Sequence, residues 1–244
     1  MMSTMTDAWR TLAPPAGDEH GPLSPLLLIL TVVTGLMDAF SYLVLGHVFV
    51  ANMTGNVVFL AFALVGAKGF SIAPHLLAVG SFVLGALGSG RLVARVGGGR
   101  GRMLAATTGC EVVLVSASLA IGLGVDNPGS GLACYILILL LAVTGGLQTA
   151  TARRLAVPDL ITTVLTRTIA GAAFDSRLAG GANSRVGRRG LAVAAMFVGA
   201  LVGACLVLHV GRPLGLLVAL LLLLPVTVAA DRLSRSHPAW DRVS

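Results

Sequence analysis

Charge is scarce in this chain. Asp, Glu, Lys and Arg make up 11% of its 244 residues, while 56% are hydrophobic. A soluble domain carries about 25% charged residues, so the balance excludes a water-solvated surface and leaves a lipid-facing one. Lys68 is the single lysine, and the net charge of +7 is carried almost wholly by arginine. Aromatic residues are only 5% of the chain. The arginines stand in short stretches between apolar runs and share no face with base-stacking rings, which excludes a nucleic-acid surface. Cys110, Cys134 and Cys205 lie inside apolar runs with no CxxC spacing, so neither a disulfide framework nor a metal centre is expected. His47, His75 and His209 stand apart without HxxxH or HxxE spacing. The chain has no GxSxG elbow for a nucleophilic serine and no phosphate-binding P-loop. An enzyme is not expected, and no cofactor is.

What is present is a series of apolar runs, at 23–46, 48–66, 72–90, 103–125, 131–152, 157–175, 190–210 and 213–231. About 20 helical residues cover a hydrocarbon core of roughly 30 Å, so the repeated runs predict a bundle in a membrane. Residues 1–22 hold Asp7, Asp18, Glu19, Pro14 and Pro15 with one arginine. They lack the basic start of a secretory leader and read as a disordered tail ahead of a retained first span.

The arginines decide which runs cross. Arg91, Arg95, Arg100 and Arg102 form one cluster, and Arg177, Arg185, Arg188 and Arg189 another. If every run crossed, the clusters would face opposite sides, against the positive-inside rule. If 157–175 dips in and returns, both clusters share the cytoplasmic side with Arg153, Arg154, Arg232 and Arg235. An internal repeat extends this to the first half. Val33-Thr34-Gly35 returns as Val143-Thr144-Gly145, and the ladder Ser81, Gly85, Ser89 as Ala195, Gly199, Gly203. Between them, Asn52-Met53-Thr54-Gly55-Asn56 corresponds to Val164-Leu165-Thr166-Arg167-Thr168. Equivalent runs should behave alike, so 48–66 is expected to be re-entrant too. Three crossings and one re-entrant element per half make an inverted repeat.

The expected fold is an all-α integral membrane protein with an inverted internal repeat, about six transmembrane helices and two re-entrant or broken segments. The halves are 23–125 and 126–231, with the tail 232–244 and both termini cytoplasmic. Lys68 and Arg212 then lie outside and Arg167 is embedded.

Polar residues inside the runs are the candidates for function. Asn52, Thr54, Gly55 and Asn56 bring donors, acceptors and a flexible backbone to a break between apolar runs. They line a substrate site or cap a helix and lock a hairpin. Thr162, Thr163, Thr166 and Thr168 carry the same choice in the second half, with Arg167 at the glycine position. Asp38 shares a helical face with Thr34 and Ser41. A central carboxylate costs about 2.5–3.5 kcal/mol on insertion scales unless paired or wetted, and Arg167 is the expected partner, in a static ion pair or a proton or cation relay. Gln148, the repeat equivalent of Asp38, belongs to the same layer. Glu111 is expected near the cytoplasmic end of its run, paired with Arg100 or Arg102. The small-residue ladders read as helix contacts.

The run Val33-Thr-Gly-Leu-Met-Asp-Ala-Phe-Ser-Tyr42, followed by Phe49-Val-Ala-Asn-Met-Thr-Gly-Asn56, resembles the signature of the YoaK-like bacterial membrane proteins. Gly146-Leu-Gln-Thr-Ala150 with Thr162-Thr-Val-Leu-Thr166 is similar to that family's second signature. The resemblance covers about residues 24–230 and departs at Arg167, where the family usually has a glycine. It implies a multi-pass inner-membrane protein and no particular substrate. The reading that follows is a small-solute transporter or channel whose two broken segments meet beside Asp38. A non-transporting membrane scaffold or partner subunit is the alternative. Expected partners are membrane lipids and a small solute, with self-association left open.

Overall fold

A computed structural model describes residues 4–15, 17–97, 99–160, 165–176, 179–181, 185–235 and 240. The described residues form helices α1 (Thr4–Leu12), α2 (Leu23–Val44), α3 (Met53–Leu64), α4 (Ile72–Val96), α5 (Arg100–Gly124), α6 (Gly131–Leu155), α7 (Leu165–Phe174), α8 (Val186–His209) and α9 (Leu214–Ser234), and no strand. Six of these, α2, α4, α5, α6, α8 and α9, are long and apolar enough to cross a membrane. The 12 residues of α3 and 10 of α7 extend only about 18 and 15 Å at 1.5 Å per residue. Neither length spans a core of roughly 30 Å. The chain is a multi-pass membrane protein.

The helix ends sort to two levels. At one, Arg100 at the start of α5 donates to the Leu155 carbonyl at the end of α6 and to that of Trp240, beyond α9, at 3.3 Å. At the other, Arg212 between α8 and α9 donates to Asn127, between α5 and α6, at 3.4 Å. Lys68 and Arg212 are the basic residues of this second end among those described. The first is rich in arginine.

The helices α2 and α6 are central, with 67% and 56% of their spans buried against 22–33% elsewhere. Packed against α2 are α8 and α9; packed against α6 are α4 and α5; and α5 lies on α9. Small residues allow this closeness. A Cβ added at Gly85 of α4 would sit 2.1 Å from the Val143 carbonyl oxygen of α6, and one at Gly199 of α8 2.2 Å from that of Val32 in α2. Reciprocally, a Cβ at Gly146 would meet the Phe82 oxygen at 2.1 Å, and one at Gly35 the Met196 oxygen at 2.6 Å. These contacts match Gly35 to Gly146 and Val32 to Val143, an offset of 111 (146 − 35).

Within the stretch expected to be a disordered tail, Thr4–Leu12 are helical. They form α1, which packs on α8. The Asp7 carboxylate accepts the Arg188 N–H at 2.8 Å, in the first turn of a helix with no side-chain cap of its own. A negative group is favoured there because the first N–H groups of a helix lack intrahelical partners. Gly187 permits the approach, since a Cβ would lie 2.3 Å from the Thr4 oxygen.

Candidate functional site

Between α2 and α3 the backbone leaves the helix, exposed at Gly46 and His47 and largely buried from Val48 to Ala51. Leu45, Val48, Val50 and Ala51 are at most 3% exposed. Irregular backbone inside a membrane protein must find its hydrogen bonds within the chain, and here two side chains supply them. Asp38 stands six residues before the end of α2. Its carboxylate accepts the N–H of Val50 at 2.9 Å, the N–H of Ala51 at 3.0 Å and the Asn52 amide at 2.5 Å. Asn56, in the first turns of α3, accepts the Phe49 N–H at 2.9 Å and donates to the Phe49 carbonyl at 2.6 Å. Gly145 of α6 lies against this segment, where a Cβ would come within 2.3 Å of the Val50 oxygen.

The expected partner of Asp38 is therefore wrong. Arg167 makes no contact with it. The acceptors of Asp38 are filled by the chain twelve to fourteen residues ahead. Arg167 is exposed on α7, as is Thr166, and lines a cavity of about 500 Å³ with Arg153, Asp159, Arg185 and Arg189 at the arginine-rich end. Among the described residues the breaks do not meet: α3 packs on α4 near the opposite end, and α7 packs on α8. Thr162 and Thr163 lie outside the described residues. Thr54 is exposed, while Gly55 faces the Phe49 ring, which an added Cβ would approach to 2.7 Å.

Gln148 ties the two central helices together. Its amide donates to the Leu30 carbonyl at 2.9 Å and to the Thr34 hydroxyl at 2.7 Å. The expected pairing of Glu111 fails as well, because neither of its oxygens has a hydrogen-bond partner. Arg100 is instead spent on backbone carbonyls and on Nδ1 of His20 at 3.4 Å. Partial burial, with Arg100 alongside, lowers the pKa of His20 below its ordinary value, which suits a neutral ring accepting at Nδ1.

Sequence reasoning missed two features. Tyr42, Phe49, Phe59, Phe70 and His75 form a ring cluster around the α2–α3 break, with Tyr42 stacked on Phe49 at 4.9 Å. His75 is fully buried and lies 3.4 Å from the Asn56 side chain. Phenylalanines scattered across one helix and two loops give no sequence signal. The second feature is a cavity of about 930 Å³ at the arginine-rich end, lined by His20, Ser89, Gly90, Arg100, Arg153 and Arg154 among others. Among the described residues Arg153, Arg154 and Arg167 have no hydrogen-bond or ion-pair partner, whereas Arg189 is paired with Asp159 at 3.0 Å and Asp175 at 2.6 Å. Beside the cavity, the Ser89 and Thr151 hydroxyls bond at 2.9 Å between α4 and α6.

The sequence profile of the family described as "Protein of unknown function (DUF1275)" matches residues 26–229. The UPF0700 transmembrane protein YoaK of Bacillus subtilis (strain 168) is 29% identical over 150 residues, which are 62% of this chain and 65% of that protein. The match spans just under two thirds of the relative's length. No solved structure matches significantly.

Proposed function

The chain belongs to the DUF1275 family, and on that premise we propose that it is a small-solute transporter of inverted-repeat design in the bacterial inner membrane, open to the cytoplasm through its arginine-lined cavity. One observation carries the reading. A space of about 930 Å³ enters between α4, α5 and α6 at one end of the bundle, while at the other the polar α2–α3 segment is stitched shut by Asp38 and Asn56. A cavity open at one end and closed at the other is what alternating access requires of a single state.

The exchanged pairs α2 with α8 and α6 with α4, and the reciprocal glycine contacts within them, support the inverted repeat. In this reading α3 and α7 are the re-entrant elements, one from each side, and the arginine-rich end is cytoplasmic. Reporter fusions at Gly69 and Gly180 should fall on opposite sides of the membrane. If both report the same compartment, the inverted arrangement is lost.

Transport itself is tested by flux. Gly90 lines the cavity, and a Cβ there meets nothing within 4 Å. The Gly90→Trp variant should therefore fold and fill the space. A solute found in a broad uptake screen on proteoliposomes should enter with the wild-type chain and be reduced to background by Gly90→Trp. No uptake across the panel, or uptake indifferent to Gly90→Trp, would reject the reading. The scaffold alternative has one observation in its favour: the chain itself saturates Asp38, so packing alone accounts for that motif.

A further inference from the structure

Glu111 is used by nothing described so far. It stands eleven residues into the 25-residue α5, about 16 Å from the first residue at 1.5 Å per residue, and so at mid-span. It is fully buried, and both carboxyl oxygens lack a partner among the described residues. Nearby hydroxyls on α5 are committed to their own helix. Thr107 donates to the Met103 carbonyl at 3.0 Å, Thr108 to that of Leu104 at 2.8 Å and Ser118 to that of Leu114 at 2.9 Å.

The helices packed on α5 are α4, α6 and α9. Their titratable and charged groups sit toward the helix ends: His75, Arg91 and Arg95 on α4, Cys134, Tyr135, Arg153 and Arg154 on α6, and Asp231 and Arg232 on α9. His75 is engaged with Asn56, and Cys134 donates to the Leu45 carbonyl. The titratable neighbour of Glu111 is Cys110 on its own helix. A bare carboxylate at this depth has no donor and no cation among the described residues to balance it, and an unpaired ion is excluded from such surroundings.

The helix opposite can yield at the same level. Gly109 lies by Thr227 and Gly122 by Pro213, so α5 and α9 run antiparallel and Pro225 is level with Glu111. A proline inside a helix removes one backbone hydrogen bond, and α9 bends most easily there. We propose that Glu111 is a proton-binding site at the centre of the membrane, exchanging its proton when the α5–α9 contact loosens at Pro225. The site stands whether or not the chain moves a solute, and its test needs no flux.

The full chain in lipid nanodiscs is treated with dicyclohexylcarbodiimide, an apolar reagent for protonated carboxyl groups, and the label is located by peptide mass spectrometry. Glu111 should be labelled in acidic buffer, the yield should fall as the buffer is made alkaline, and the label should vanish entirely in Glu111→Gln. No label at Glu111 means an inaccessible packing residue, and a yield independent of pH means a permanently neutral acid; either result overturns the proposal. Should Glu111→Gln fail to fold, the pH profile of the wild-type label alone decides between these outcomes.

Discussion

Asp38→Ala should destabilise the protein by about 3–5 kcal/mol, among the largest effects of any single side-chain truncation here. The carboxylate answers two backbone N–H groups and one amide, and Val50 and Ala51 are buried where water cannot replace it. A buried donor left without its acceptor costs about 1–3 kcal/mol, more when the lost partner is charged. Asp38→Asn keeps one acceptor oxygen and should lose less. Thr54→Ala, two residues from Asn52 but exposed, should stay within about 0.5 kcal/mol of wild type. Denaturation in mixed micelles gives the ranking. If Asp38→Ala were no worse than Thr54→Ala, the α2–α3 segment would not be held as described.

Gly85→Ala is the second large effect, at about 3 kcal/mol or more. The new methyl group would lie 2.1 Å from a backbone oxygen of α6, and no side-chain rotation relieves a clash with backbone. Overpacking of a close contact typically costs 1–3 kcal/mol. Here whole helices must move apart, and the small-residue contact is what holds two helices together in lipid. Gly199→Ala meets Val32 in the same way at 2.2 Å and should cost a similar amount. The two contacts lie in separate helix pairs, so the double variant should show the sum of the single effects within about 0.5 kcal/mol. Gly80→Ala, where an added Cβ meets nothing within 4 Å, is the matched control on α4. Equal stability of Gly85→Ala and Gly80→Ala would contradict the tight α4–α6 contact.

Parts of the candidate site were legible beforehand and parts were not. The sequence pointed to Asp38, Asn52 and Asn56 because polar side chains inside apolar runs are costly without partners. It did not reveal the partners. Those of Asp38 include two backbone N–H groups, which every residue except proline carries, so no residue type marks them. Arg167 attracted attention by its charge, but charge complementarity says nothing about depth, and α7 lies at the end of the bundle away from Asp38. The misplacement of Glu111 had a different origin. The apolar run begins at 103, yet α5 starts at Arg100, and Glu111, eleven positions after Arg100 and nine after Arg102, is beyond reach of both.

By itself the sequence determined the six spans, the end of the bundle that collects arginine and the faces that carry small residues, because apolar length, charge and helical period are written along one dimension. The tertiary structure decided which helices pair, what Asp38 binds, where the cavity opens and that Glu111 at mid-span has no hydrogen-bond partner among the described residues. Each of these depends on distances between residues far apart in the chain, and those distances exist only once the helices have packed.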